Sequence, residues 1–322
     1  MRTFVPRDFV PFPLFHFAQG GRRRLSLAFL CAFLPACATL NPEAFKNFQS
    51  AVAAEQKGLE AEMARDVNWT READVQDLAN RKDAPLSAYM VKESKGTEWA
   101  METLPPHWDA RRTLRTLEEF NAAFGGYVGL LSDIAAGQVK DPEAFDGTAA
   151  SLNDAFRKIR ETPAGLPSVE KRPLAAAAAL VAESLRLYVE NRRARDLARA
   201  IRDNQPLVES YAEQCRALIG LIRADLKAAY ADQVQAIHER WDDKRSPGRV
   251  TLTRSLFNLN EEYADAMETL KALEVSYNTL PAAHGELADG VEKSRKPRAA
   301  LAAFVRSAQG LARRTLDLEK AR

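Results

Sequence analysis

The chain has 322 residues, with 46 Lys and Arg, 44 Asp and Glu, a formal net charge of +2, 15 Gly, 16 Pro and 3 Cys. That length allows one large or two ordinary domains, and a hydrophobic share of 46% excludes wholesale disorder. The near-neutral charge gives no reason to expect nucleic acid, while three cysteines and four histidines exclude a multi-disulfide scaffold and leave little for a zinc site.

The first organised signal lies near the N-terminus. Arg22, Arg23 and Arg24 precede an apolar run from Leu25 to Leu34. As a helix the run would extend about 15 Å, half of a hydrocarbon core about 30 Å thick. It therefore has the length of a signal-peptide h-region and not of a lasting transmembrane helix. The run ends in Leu34-Pro35-Ala36-Cys37, which resembles the lipobox of bacterial lipoproteins. Leu34, Ala36 and Cys37 fill the three diagnostic places, whereas Pro35 departs from the small or β-branched residue more usual there. The resemblance covers residues 22–37 only. It implies a diacylglycerol thioether on Cys37, cleavage before it, and acylation (palmitate) of the new amino terminus. Three acyl chains, at about 0.8 kcal/mol per buried CH₂, would hold the protein at a membrane almost permanently. Ala38 in place of Asp implies export to the outer membrane, facing the periplasm. The alternative is signal peptidase cleavage after Ala36-Cys37-Ala38, which would release a soluble periplasmic protein. Residues 1–36 are thus expected to be a signal peptide. Residues 1–21, with five Phe and three Pro and no period, either lengthen it or reflect a start codon set too early.

Beyond residue 36 the balance is 41 Lys and Arg against 43 Asp and Glu, a charge of −2. Cys215 is then the only thiol besides Cys37, so no internal disulfide is expected. Prolines punctuate long windows rich in Ala, Leu, Glu, Arg and Lys, the better helix formers. Asn41-Pro42-Glu43 and Asp141-Pro142-Glu143 each offer a cap, a proline at the first helical position and an acid in the first turn. Phe45, Phe48, Val52, Leu59 and Met63 form one helical stripe, which weakens after Arg65. Lys82–His107, with Pro85, Gly96, Pro105 and Pro106, has no stripe and reads as an irregular connecting loop with room for one short helix. Leu114, Leu117, Phe120, Phe124, Tyr127, Leu131 and Ile134 form a second stripe, and Phe145, Leu152, Phe156 and Ile159 a short third. The most regular runs from Val208 through Tyr211, Cys215, Leu218, Ile222, Leu226 and Tyr230 to Trp241, in steps of three or four. Such a helix is about 50 Å long. Leu252 to Leu280 makes a partner of similar reach, and Leu301, Phe304, Ala308 and Leu311 close the chain. No window alternates as a strand does. The expected fold over residues 37–322 is all-α, an elongated bundle of long antiparallel, coiled-coil-like helices.

The sequence offers no recognisable catalytic, cofactor or metal motif. Gly125-Gly126-Tyr127-Val128-Gly129 lacks a dinucleotide-binding spacing and a preceding strand, so these glycines are expected to let a neighbouring helix approach. His107, His238 and His284 lack the Glu three places back that a di-iron bundle uses. Cys215, among Tyr211, Leu218 and Ile219, reads as core. The pairs Glu118-Glu119, Asp242-Asp243 and Glu261-Glu262 read as solvated surface. Segment 37–103 carries eight basic and twelve acidic residues, whereas segment 293–322 carries nine basic and two acidic. Either the two ends attract each other in the bundle, or the basic end docks on anionic headgroups or an acidic partner. The expected function is a lipid-anchored, non-catalytic envelope scaffold or adaptor, tethered through Cys37 and binding another envelope protein or anionic headgroups, with self-association as a homo-oligomer also open. The alternatives are an envelope hydrolase acting on peptidoglycan, which would need two acids in one cleft, and a periplasmic carrier of a lipid or small molecule, which would need an apolar cavity between helices.

Overall fold

The first helix, α1 (Pro42–Asn80), starts where the sequence places it. The Ala44 amide bonds to the Asn41 carbonyl at 3.1 Å and approaches its side-chain oxygen at 3.4 Å, so Asn41 serves as the cap. The computed structural model describes residues 40–80, 92–93, 99–100, 107–138, 143–162, 182–183, 185, 188, 194–242, 248–293 and 299–321. The leader and Cys37 lie outside them, as do most of residues 82–107 and the junction at Asp141-Pro142. Residues 38–322 form one compact unit.

Within the 82–107 segment the described residues include a two-residue antiparallel pair, β1 (Lys92–Glu93) and β2 (Trp99–Ala100), with Lys92 opposite Ala100 and Glu93 opposite Trp99; the short helix that the loop has room for falls on residues outside those described. A pair this short is a local hairpin clasp, and the architecture is all-α. Helix α2 (His107–Ala135) then returns antiparallel along α1. Its start is tied to the end of α1, since the His107 amide and Nδ1 both meet Asp74 Oδ2, at 3.0 and 2.7 Å. Two of the three glycines face α1: a Cβ on Gly125 would lie 3.4 Å from Gln56, and one on Gly129 would lie 3.3 Å from Gln49. Close helix approach is therefore their role, and Gly126 is exposed with open space beside it. The helix ends at Gly137, whose φ of 71° suits a residue without Cβ. The Gln138 amide reaches back to the Asp133 carbonyl at 2.9 Å and the Gly137 amide to Ile134 at 3.0 Å, the pair of bonds that closes a Schellman cap.

Helix α3 (Glu143–Arg160) packs on α2 through an edge-on contact of Phe156 with Phe120, ring centroids 4.8 Å apart. The next helices, α4 (Ala194–Asp203) and α5 (Gln205–Asp242), are one bent rod. Asn204 keeps the ladder alive by bonding to Ala200, while Leu207 and Val208 return to the Asn204 carbonyl. Pro206 has no amide hydrogen to give the Arg202 carbonyl, and the bend sits there. Helix α6 (Arg249–Lys293) runs antiparallel to α5, in a register marked by Arg223–Glu274 at 2.7 Å and Tyr230–Asn260 at 2.8 Å. Proline punctuation predicts an end near Leu280, but α6 passes straight through Pro281. Tyr277, Leu280, Ala283, His284 and Leu287 on both sides of it are buried, and that packing outweighs an interior proline's penalty of about 3 kcal/mol. Helix α7 (Ala299–Ala321) folds back on α6 and α1. Its free N-terminal amides, Ala300 and Leu301, bond the Glu286 carboxylate at 3.1 and 2.9 Å.

The core follows the predicted stripes. Phe45, Phe48, Val52, Leu59 and Met63 of α1 are buried against Phe120, Phe124, Tyr127 and Leu131 of α2. Tyr211 lies flat on Phe124, with centroids 3.7 Å apart and planes 7° off parallel. The α5 stripe is buried as far as Leu226 and then emerges: Tyr230, Val234 and Ile237 are half-buried and Trp241 is exposed. Direction explains this. Contacts of Phe48 with Phe304 and His284 at one end, and of Arg65 with Glu262 at the other, set α1 parallel to α5 and α7 and antiparallel to α6. The α5–α6 end consequently lies at the far end of α1 from Pro42.

Candidate binding cleft

The polar groups of the interior are arranged along α1 in three layers. Nearest the α4–α5 bend, Tyr127, His284 and Gln205 form a chain, with the Tyr127 hydroxyl 2.9 Å from His284 Nε2 and His284 Nδ1 2.9 Å from Gln205 Oε1. Gln205 donates its amide to the Pro281 carbonyl at 2.9 Å, so its oxygen faces the histidine. Nδ1 therefore carries the proton and Nε2 accepts from Tyr127. Burial pushes the His284 pKa down to about 3, which keeps the ring neutral.

The middle layer joins α1, α2, α5 and α6. Gln56 donates to the Asn121 carbonyl at 2.8 Å and to the Tyr211 hydroxyl at 3.1 Å. Tyr211 in turn donates to Asn121 Oδ1 at 2.8 Å, and the Asn121 amide reaches Glu60 at 2.7 Å. Glu55, fully buried beside them, accepts from the Ser276 hydroxyl. Desolvation drives its pKa well above the ordinary carboxylate range, which favours a protonated acid there. Cys215 shares this layer. It is buried, and burial pushes its thiol far up, which disfavours the thiolate at this core position.

The third layer opens to solvent. Where α1 is flanked by α2 and α5 there is a cleft of about 340 Å³. Its walls are aliphatic, from Met63 and Ala73 of α1, Ala110 of α2 and Leu218, Leu221 and Ile222 of α5. Four aspartates punctuate them: Asp66, Asp109, Asp225 and Asp232. Asp66 has only 1% of its surface exposed, and its Oδ1 is buried without a hydrogen-bond partner among the described residues. Burial, and then the negative charge of Asp225, push its pKa up to about 7. Asp225 is itself raised by partial burial. The neighbouring cation does not relieve them, because Arg65 pairs with Glu62 at 3.1 Å and points its guanidinium toward the Glu262 carbonyl, 3.4 Å away. Asp109 is engaged by Arg112 one turn on.

A second hollow, of about 610 Å³, lies between α5 and α6 near their joined ends, lined by Val234, Ile237, His238, Trp241, Leu252 and Leu256. Beside it Val250 and Phe257 are exposed, and the Arg249 guanidinium sits over the Trp241 ring at 5.0 Å.

Of the residues singled out in the sequence, Cys37 is outside the described structure, His107 opens α2 with its amide capped by Asp74, and His284 is structural. Glu119 is exposed and pairs with Lys158 at 2.9 Å, while Glu261 and Glu262 are exposed; the side chains of Asp242 and Asp243 lie outside the described residues. The acids that do converge, Asp66 and Asp225, were not flagged by pairing in sequence. A signal for one of them existed: Phe48, Val52, Glu55, Leu59, Glu62 and Asp66 keep steps of three and four, so acids continue the apolar stripe of α1. In the basic C-terminal segment, Arg314 pairs with Glu268 of α6 at 2.9 Å, which is not part of the acidic N-terminal segment. No group of three or more His, Cys, Asp or Glu among the described residues is placed to hold a metal ion, and no described helix is long and apolar enough to cross a membrane. No protein family, curated protein or solved structure matches this chain.

Proposed function

We propose that the protein is a lipid-anchored, non-catalytic scaffold of the bacterial cell envelope that presents the joined ends of α5 and α6 to another envelope protein. The observation that carries this reading is the placement of exposed apolar side chains. Trp241, Val250 and Phe257 cluster at the α5–α6 end, while α1 starts at Pro42 and spans its 39 residues, about 58 Å, toward that end. Cys37 precedes Pro42 by only five residues. A lipid there would leave the apolar end remote from the membrane, within reach of a partner. Large exposed apolar groups at the tip of a rigid hairpin are what a docking surface requires. A rigid rod also suits the interior, in which tyrosine, amide, serine and histidine groups lock the helices in one register.

The hydrolase alternative gains one point from the structure, since Asp66 and Asp225 are two acids in one cleft with raised pKa values. The walls weigh against it. They are aliphatic and acidic, whereas a sugar site needs amide, guanidinium or aromatic groups to hold hydroxyls and ring faces.

The test is site-specific photocrosslinking in intact cells from Val250 and Phe257, with exposed Glu118 on α2 as control position. The reading expects an adduct of one discrete size that appears from the tip only and diminishes with Trp241→Ser. It also expects the adduct to diminish with Cys37→Ala, which removes the tether. Equal labelling from Glu118, or no adduct from the tip, would refute it.

A further inference from the structure

We propose that the cleft between α1, α2 and α5 binds a linear aliphatic polyamine, with Asp66 and Asp225 holding one ammonium group and Asp232 a second. The proposal does not depend on the scaffold reading. It starts from Asp66, a carboxylate with 1% of its surface exposed, facing an open cleft, with Oδ1 lacking any partner among the described residues. Glu55 Oε2 is also buried without a hydrogen-bond donor among the described residues, and Glu62 Oε2 is buried against Arg65, but of the three carboxylates only Asp66 lines the open cleft, where a donor can arrive from outside. The donor must be cationic. Asp225 lies close enough to raise the cost of a charge on Asp66, and neither it nor Asp232 has an ion-pair partner among the described residues. Arg65, the cation on the same turn, is committed to Glu62.

The shape then chooses among cations. Asp66, Asp109, Asp225 and Asp232 are not gathered around one point as metal ligands would be. Asp225 and Asp232 are seven residues apart on α5, two turns on the same face and about 10 Å along the axis. Between them the wall is Ala228 and Ala229, with Leu221 and Ile222 below. An occupant therefore needs two positive ends about 10 Å apart, joined by slim methylene segments that lie on the alanine wall, with any internal ammonium on the open, solvent-facing side of the cleft. At about 1.2 Å per bond of an extended chain, eight or nine bonds span that distance, the length of a short polyamine. A cleft of about 340 Å³ also lies at the small end of ligand sites.

The test is calorimetric titration of the purified full-length chain, in nonionic detergent free of lipid, with spermidine, n-butylammonium and Mg²⁺. Expected at pH 8 is one-to-one spermidine binding, at least tenfold weaker in Asp66→Asn and Asp225→Asn. Asp232→Asn weakens spermidine severalfold but leaves n-butylammonium, which has one charge, unchanged. Glu209→Gln, exposed on α5 outside the cleft, leaves affinity within twofold. Lowering the pH from 8 to 6 weakens binding about tenfold, because Asp66, with a pKa of about 7, takes up the proton it must release. The charged groups around Asp66 are Glu62 and Arg65 of α1, Asp109 of α2, Asp225 of α5 and Glu262 of α6. In Asp66→Asn that pH dependence disappears. A circular dichroism melt confirms folding of each variant. No spermidine heat, spermidine affinity indifferent to Asp66→Asn and Asp225→Asn, n-butylammonium binding as tightly as spermidine, or displacement of spermidine by Mg²⁺ at equal charge would each overturn the proposal.

Discussion

Replacing Asp66 with Asn should stabilise the folded protein, and by an amount that depends on pH. In the unfolded chain the carboxyl ionises near 3.8, and in the folded protein at about 7. The folded state therefore holds the proton over a range in which the unfolded state has lost it. Stability is unaffected by this group below about pH 4, falls as pH rises through the interval, and levels off above 7. One pH unit of displacement corresponds to about 1.4 kcal/mol, so the full interval is worth about 4 kcal/mol. Asn is close in size and cannot ionise. At pH 4 both side chains are neutral, buried and polar, and the substitution should change little. At pH 8 the variant should be the more stable by about 4 kcal/mol. Urea denaturation of both proteins in amine-free buffer, at half-unit steps from pH 4 to 8, measures the difference. With a slope of about 3 kcal/mol per molar urea, the midpoints should separate by a little over 1 M at the alkaline end. Asp225→Asn removes the second cause of the raised value and should move the window of Asp66 downward. A difference between wild type and Asp66→Asn that is the same at pH 4 and pH 8 would refute the reasoning, because only an ionisation suppressed by folding gives it that slope.

Other substitutions probe other layers. Ile222→Ala should cost about 2–5 kcal/mol in the same denaturation assay, since Ile222 is buried among three helices. Tyr127→Phe should cost about 1–3 kcal/mol by leaving His284 Nε2 without its donor, and the loss should be insensitive to pH from 5 to 8 because that ring stays neutral. Gly126→Ala should stabilise by up to about 1 kcal/mol, as the position is exposed, helical and open, whereas a gain as large at Gly129 would contradict its contact with Gln49. Cells fed labelled palmitate should incorporate it into the wild-type chain and not into Cys37→Ala, and label persisting in the variant would remove the anchor from the proposed function.

Helices and their buried faces were legible in the sequence because each stripe repeats a single requirement many times. Phe45 to Met63, Phe120 to Ile134 and Tyr211 to Leu226 are buried as their spacing demands. What sequence reasoning misjudged were the places where a local rule meets packing from a distant segment. Pro281 breaks the local rule, yet Tyr277, Leu280, Ala283 and Leu287 pack on both sides of it, and the helix continues. Pro206 obeys the rule only in part: the rod bends there without ending. The cleft was hidden for a different reason. Its two central acids stand 159 places apart in the chain, and α1 runs parallel to α5, an alignment that amphipathic periodicity leaves undetermined.

That alignment gives the buried polar residues of α1 a common logic. A stripe of uniform leucines would let α1 slide by a turn against α5 and α6, since one aliphatic layer resembles the next. Gln56 can meet Asn121 and Tyr211 together, and Glu55 can meet Ser276, in one register only. The apolar face of α1 is thus interrupted where interruption fixes the alignment, and Gln56 and one oxygen of Glu55 find partners there. Asp66 continues the same spacing, but its Oδ1 meets no donor among the described residues, and it stands where the walls part into an open cleft. If its purpose were register alone, a donor from a neighbouring helix would meet it, as Ser276 of α6 meets Glu55 Oε1. Thr70, one turn along the same helix, and Thr113 of α2 both line the cleft, yet the Thr113 hydroxyl is turned back to the Asp109 carbonyl at 2.9 Å. A carboxylate kept buried, uncompensated and beside a second acid lowers stability above pH 7 without improving alignment. The cation proposed for the cleft would supply the compensation that the fold itself does not.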